Sequence, residues 1–491
     1  MVIPRLVVAA PASGAGKTTV AVGLMAALRQ AGHTVAGFKV GPDYIDPGFH
    51  AVATGRPGRN LDPMLQGEER VAPLFAHGAA GADLAVVEGV MGLYDGALGT
   101  EGYASTAHVS KLLKAPVVLV VDASAAGRSV GAVVNGFVAF DTEVRIVGVI
   151  LNKVGSDRHE AEVRAGVAPT GVPVLGVLRR DTRLTVPSRH LGLVPADEQR
   201  EQAAAAVEAA AELVRQGVDL EAFVAAARAA ATEFTEPWDP ANEVALAEAR
   251  AGAGAAARAG SGAGAARAGE AARAGAEAAG AGAEAAAGAR RPVVAVAGGA
   301  VFSFRYTETA ELLVAAGAEV VTFDPLSDPL PEATAALYLG GGFPELHAEA
   351  LSANDKLRSQ VASEVAAGLP VIAECAGLLY LCRELDGHPM TGVLPATGRM
   401  TSSLTLGYRT AIAATTTAFF DEGRRVRGHE FHRTTIDLDA EVNPAWHLPS
   451  GTEGIVQPRL HATYLHLHWT ATPDVPTRLV AAARIHAGMT K

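Results

Sequence analysis

The chain has 491 residues, 49% of them hydrophobic, and carries 41 Lys+Arg against 52 Asp+Glu for a formal net charge of −11. That length outgrows one core and predicts two or more domains. The acidic balance, with no basic block, argues against a nucleic-acid partner. No apolar run reaches membrane-spanning length without a charge or breaker, and two cysteines, Cys375 and Cys382, fit a reducing cytoplasm better than a disulfide scaffold.

The apolar start, residues 1–10, leads straight into a Gly-Lys-Thr loop and reads as a first strand, at 6–10, not a signal peptide. Further buried strands are expected at 34–40, 84–88, 117–121, 146–151 and 174–177, mostly separated by helix-length segments. This alternation predicts an α/β fold, an open parallel sheet with helices on both faces, over residues 1–240.

The run Ala10-Pro11-Ala12-Ser13-Gly14-Ala15-Gly16-Lys17-Thr18-Thr19 follows the first strand and precedes an apolar helix, the context of a phosphate-binding loop. Its glycines let backbone N–H groups turn onto phosphate oxygens. Ser13, Gly14, Gly16, Lys17, Thr18 and Thr19 are therefore the candidate ATP contacts. Pro11 stands where the strict pattern has its first Gly. Lys17 supplies charge to the terminal phosphates, and the Thr18 hydroxyl can reach Mg²⁺. Glu88 ends one strand and Asp43 follows another, where ligands gather in open α/β sheets, so both are candidate metal ligands with Thr18. Asn152, also after a strand, is a candidate contact to the nucleotide base.

Residues 241–290 are dominated by Ala, Gly, Arg and Glu, with no aromatic residue, and are expected to form a flexible linker with transient helix. A second α/β domain is expected over 291–491, with strands at 292–297, 319–323, 336–339 and 371–373. The last of these runs into Ala373-Glu374-Cys375-Ala376-Gly377, a thiol at a strand-to-helix turn, where helix N–H groups favour the thiolate. Cys375 is the candidate nucleophile. Gly341 and Gly342, in Gly340-Gly341-Gly342-Phe343-Pro344-Glu345, can present N–H groups to an oxyanion. His429, His432, His461, His466 and His468 are candidate bases, and spacing does not choose between His466 and His468.

These segments resemble the cobyrinic/hydrogenobyrinic acid a,c-diamide synthases of corrin biosynthesis. The first half is similar to dethiobiotin-synthetase-like ATP-dependent amidoligases through Ser13–Thr18, Lys39–Pro47, Val87–Gly96 and Arg189–Leu193. The second half is similar to class I glutamine amidotransferases of the cobyrinate and cobyrate type. There the match runs through Gly340–Glu345, the Cys375 turn, Gly407–Arg409, Gly428–His432 and Tyr464–His468. The resemblance implies that Cys375 attacks the amide of L-glutamine with His466 as base. Ordinary triad enzymes of this class carry a Glu two residues after that His, where this chain has His468, so the orienting group is left open. It further implies that ammonia passes to the first domain, where ATP and Mg²⁺ activate two corrin acetates, a and c, as acyl phosphates. Tyr44 and Asp46 would lie on the substrate side. Hydrogenobyrinate is favoured over cobyrinate. The rival readings are a nickel-sirohydrochlorin diamide synthase, a cobyrate synthase, or a P-loop regulatory ATPase with a decayed amidotransferase fold. A homodimer is expected only from how commonly soluble proteins pair.

Overall fold

A computed structural model describes residues 3–180, 188–189, 192–193, 195–196, 198–230, 236–259 and 290–489. The chain divides into two compact units, Met1–Trp238 and Asp239–Lys491.

In the first unit seven strands pair in parallel: β1 (Arg5–Ala9), β2 (Val35–Val40), β3 (Arg59–Leu61), β4 (Leu84–Glu88), β5 (Val117–Asp122), β6 (Ile146–Val154) and β7 (Val174–Arg179). Their order is β3-β2-β4-β1-β5-β6-β7. The expected strands are all present, and their Val, Leu and Ala residues are buried on both faces, as parallel sheets require. The short edge strand β3 went unread because Arg59 and Asn60 carry no apolar pattern. Helix α1 (Lys17–Gln30) follows β1, and α2 (Asp46–Thr54) follows β2. Because β2, β4 and β1 are neighbours, their carboxyl ends bring the phosphate loop, Glu88 and the 41–46 loop to one place. A small antiparallel pair, β8 (Ser188–Arg189) and β9 (Gly192–Leu193), brackets His190 and Leu191, which lie outside the described residues.

The second unit opens earlier than the sequence suggests. Pro240–Ala259 is a helix, where a flexible linker was expected, and its Val244 and Ala247 are buried. It packs on the helices Thr307–Ala315 and Asp474–His486 of the same unit. Alanine favours the helix and these two side chains anchor it. The remainder of the expected linker, 260–289, lies outside the described residues.

The strands that follow are β10 (Val293–Ala297), β11 (Glu319–Phe323), β12 (Thr334–Leu339), β13 (Val371–Glu374), β14 (Glu384–Leu385) and β15 (His388–Pro389). The long pair β16 (Ala396–Ala413) and β17 (Arg425–Leu438) comes next. Then come β18 (Trp446–Leu448), β19 (Gly451–Glu453), β20 (Ile455–Gln457), β21 (Leu460–Thr463) and β22 (His466–Leu467). One sheet runs β11-β10-β12-β13-β21-β20, parallel except at β20; a second runs β15-β14-β16-β17-β22. The carboxyl ends of β12, β13 and β21 lie side by side, and the chain leaving them carries the glycine run, Cys375 and His466.

His461 on β21 is buried between Phe420 and Trp446, with ring centroids at 4.7 and 4.9 Å, and neither ring nitrogen has a hydrogen-bond partner among the described residues. Burial holds its pKa down at about 3. A base depressed this way binds its proton only on unfolding, so it destabilises the fold as pH falls below the unfolded value of about 6.5. His461→Leu is expected to raise the thermal midpoint at pH 7 by relieving an unsatisfied polar group, a gain of about 1–3 kcal/mol. The gain should widen by roughly 2 kcal/mol at pH 5. Thermal melts of both proteins at the two pH values measure it; a midpoint difference that stays flat with pH would reject the argument.

Candidate active sites

The first site forms where β1, β4 and β2 end. Gly16 takes φ 89°, and a Cβ there would sit 2.2 Å from Asn152 Nδ2, so only glycine fits. Lys17 Nζ donates to the Met91 carbonyl at 2.8 Å. Burial first, then the neighbouring Lys39 charge, pull Lys17 down to about 8. Thr18 Oγ1 donates to Glu88 Oε1 at 2.6 Å and lies 3.4 Å from Asp46 Oδ2. Ser13 and Gly14 are exposed on the loop, and Thr19 is half-buried at the start of α1.

Glu88 is wholly buried, and three groups converge on it. Beside Thr18, Lys39 Nζ reaches Oε1 at 2.8 Å and His50 Nε2 reaches Oε2 at 2.7 Å. Burial alone would raise this carboxyl; the Lys39 charge and the His50 contact outweigh it and hold Glu88 well below the usual carboxylate range. Lys39 also pairs with Asp46 and donates to the Gly89 carbonyl at 3.1 Å. Burial would lower Lys39, but Asp46 and Glu88 hold it above the ordinary lysine value. Burial, Asp43 and Glu88 push Asp46 up. Three carboxyl groups, Asp43, Asp46 and Glu88, thus act on two ammonium groups, Lys17 and Lys39.

Two of the expected residues have protein partners here. Asp43, expected as a metal ligand, has its Oδ1 engaged by the N–H groups of Ile45 and Asp46 at 2.8 and 2.9 Å, and Asp46 is the carboxylate beside Thr18. Asn152, expected to meet the base, donates from Nδ2 to the Ala15 carbonyl at 2.9 Å and accepts at Oδ1 from Lys153 N–H. It braces the phosphate loop because β6 lies one strand away from β1. Tyr44 is buried in the loop before α2. Lys39 and His50 escaped the sequence reading. Their signals were a lysine inside an otherwise apolar strand and a histidine four residues after Asp46 on one helix face.

The second site centres on Cys375. It stands between β13 and the helix Ala376–Leu381 with φ 50° and ψ −97°, a strained backbone for a side chain with a Cβ. Its N–H donates to the Thr463 carbonyl at 2.7 Å. The thiol is only 2% exposed. Burial raises its pKa above the ordinary cysteine value and Glu345 adds to this, while N–H groups of Gly342 and Ala376 directed at the sulfur oppose it. The expectation of a favoured thiolate is therefore reversed: two N–H groups do not offset complete desolvation. Of the two expected oxyanion donors, Gly342 is aimed at the sulfur, whereas Gly341 N–H donates to the Phe304 carbonyl at 3.3 Å. Ala376, unread in the sequence, supplies the second N–H.

His466 on β22 is buried, and burial, then His429 and His432, depress it to about 3. Its ring lies against the Gly341 backbone, where a Cβ would come within 2.2 Å of Cε1. Residues 341 and 342 therefore touch the imidazole and the thiol respectively. His468 is held by Thr470 Oγ1 at 2.8 Å and faces Glu308 at 3.8 Å. Gly341→Ala is expected to displace the His466 ring and lower glutaminase turnover by about a hundredfold, with ammonia-dependent synthesis retained. Steady-state assays with each nitrogen donor check this.

The two sites define a class. Residues 6–194 match the CobQ/CobB/MinD/ParA nucleotide binding domain, and residues 293–474 match the CobB/CobQ-like glutamine amidotransferase domain. Together they make a glutamine-dependent, amide-forming ligase. The chain is 56% identical over 486 residues to the hydrogenobyrinate a,c-diamide synthase of Streptomyces coelicolor, covering 98% of both chains. It is 50% identical to the enzyme of that name from Mycobacterium tuberculosis strain H37Rv, again over 98% of each. It is 38% identical to the cobyrinate a,c-diamide synthase of a Synechococcus strain, covering 95% of this chain and 96% of that one. The chain belongs to the a,c-diamide synthase family. Among the described residues no helix is long and apolar enough to cross a membrane.

Proposed function

We propose that the chain converts the a and c acetate carboxylates of hydrogenobyrinic acid to amides in cobalamin biosynthesis, using ATP and L-glutamine. The observation that supports it most is the pairing, in one chain, of a phosphate loop fused to a carboxylate cluster with a buried thiol and imidazole on a second unit. The near-full-length identity to named hydrogenobyrinate enzymes, higher than to the cobyrinate ones, favours the metal-free corrin.

At the second unit the Cys375 S–H bond breaks, its proton passes to His466, and sulfur bonds to the amide carbon of glutamine. Gly342 and Ala376 N–H groups stabilise the oxyanion. His466 returns that proton to the departing nitrogen, so ammonia leaves and a thioester remains; water then attacks its carbon, a water proton passes through His466 to the sulfur, and glutamate and the thiol are released. At the first unit a substrate carboxylate oxygen attacks the γ-phosphorus of ATP, and ADP leaves. Ammonia attacks the acyl phosphate carbon, and phosphate leaves with the carboxylate oxygen. Lys17 neutralises charge on the transferred phosphoryl group. Thr18 and Glu88 would hold Mg²⁺, whose role is to draw charge off the phosphate oxygens. The described residues hold no group of three or more His, Cys, Asp or Glu arranged for a metal; a cation completed by phosphate oxygens needs fewer protein ligands. Both free cysteines are buried, in keeping with a cytoplasmic enzyme.

Mass spectrometry of products from hydrogenobyrinate and from cobyrinate, each with ATP and glutamine, tests the reading. Diamide from the metal-free corrin is expected to form faster. Diamide from cobyrinate alone would reassign the substrate, and none from either would reject the function.

A further inference from the structure

Glu374, immediately before the nucleophile, ends β13 with a buried carboxylate aimed at the histidine side of the site. Tyr338 OH donates to its Oε2 at 3.0 Å, Leu467 N–H approaches Oε1 at 3.5 Å, and the Trp469 side chain donates as well. The same Oε2 lies 4.0 Å from Nδ1 of His466. Three donors from β12, β22 and the segment after it therefore fix this carboxylate in place before any substrate arrives. We propose that Glu374 is the positioning residue for His466, acting on Nδ1 from the position before the nucleophile, and that it replaces the carboxylate triad enzymes carry two residues after the histidine.

The proposal rests on the reading of Cys375 and His466 as the glutaminase pair. An imidazole has its two nitrogens on opposite edges. With Nδ1–H directed to Glu374, Nε2 is the basic nitrogen left for the thiol proton. When that proton arrives the ring becomes cationic, and Glu374 Oε2, 4.0 Å from Nδ1, is placed to face it. Catalytic hydrogen bonds of this kind shorten once substrate is bound. Position 468 cannot serve as this acid. It is a histidine, and its own neighbours, Thr470 and Glu308, lead away to the helix Thr307–Ala315.

Burial pushes Glu374 up to about 8, against the pull of its three donors. Burial depresses His466 as well, so both groups are held toward their neutral forms when no substrate is present. The other titratable groups around the pair are Tyr338 on β12, His429 and His432 on β17, Cys375, and Glu345 in the loop after β12. Arg305 acts on Tyr338. His429 and His432 oppose the cation at His466.

The test compares Glu374→Gln, Glu374→Asp and His468→Gln in the full chain, with Cys375→Ala as the reference for a dead glutaminase. Glu374→Gln keeps the shape and an acceptor for Tyr338. It is expected to lower glutaminase kcat by about a hundredfold with the KM for glutamine unchanged. The acid limb of kcat/KM should move to lower pH, as for an imidazole without its anion. Glu374→Asp retains the charge and should keep the native limb with a smaller loss. Ammonia-dependent amidation should match the parent in both, which reports folding. An unmoved acid limb, equal losses for Gln and Asp, or His468→Gln reproducing the limb shift would each overturn the assignment. Glutaminase surviving in Cys375→Ala would instead reject the underlying reading.

Discussion

Cys375→Ala is expected to abolish glutamine-dependent amidation, by at least about a thousandfold, while ammonium salts still support product formation at the parental rate. The two outcomes separate because the nucleophile and the phosphate loop stand on different compact units. Alanine also fits the position: the site is buried, and the smaller side chain leaves the N–H bond to Thr463 intact. The φ of 50° at residue 375 strains Ala no more than Cys, so the backbone cost is shared by both forms. Parallel assays with glutamine and with ammonia, on protein of matched thermal midpoint, measure the effect. Loss of both activities in a folded variant would sink the division of labour.

The complementary result is expected from Glu88→Gln. Both glutamine- and ammonia-dependent amidation should fall by at least about a hundredfold, with glutaminase activity of the other unit retained. Glu88 accepts from Thr18 and Lys39 and contacts His50, with no exposure to water. Neutralising it leaves Lys39 with Asp46 as its sole close ion-pair partner among the described contacts and removes a hard oxygen from the phosphate site. Breaking a buried pair on one side costs about 3–5 kcal/mol, so some loss of stability is also expected. The retained glutaminase activity is the control for that. A variant that keeps synthetase activity would show that Glu88 only holds Lys39.

The parallel sheet of the first unit was legible because its strands are uninterrupted apolar runs, and the phosphate loop because Gly-Lys-Thr follows one of them. The carboxylate cluster was half legible. Glu88 at a strand end was readable, but that Asp43 would accept from two turn N–H groups and Asp46 lie beside Thr18 depended on which N–H groups a turn would claim. The charge state of Cys375 was misread for a related reason. A helix N-terminus is a local feature visible in sequence, whereas desolvation comes from the core in which the thiol is packed, built with residues far along the chain such as Tyr464. Glu374 was in plain view beside the cysteine. Nothing in its neighbourhood told that its carboxylate would find Tyr338 and Trp469. The helix Pro240–Ala259 was hidden by its own composition, since alanine signals helix and the interspersed glycine signals the opposite.

The deep burial of Cys375 also bears on how the enzyme survives between turnovers. A thiolate attacks peroxide and disulfides, and a thiol hardly does. An idle site whose burial favours an uncharged sulfur and an uncharged imidazole keeps its nucleophile in the form that reacts slowly with oxidants, and proton transfer to His466 during turnover exposes the reactive one. Resting enzyme is therefore expected to lose activity slowly under hydrogen peroxide and faster during turnover, so oxidative damage would track use instead of age.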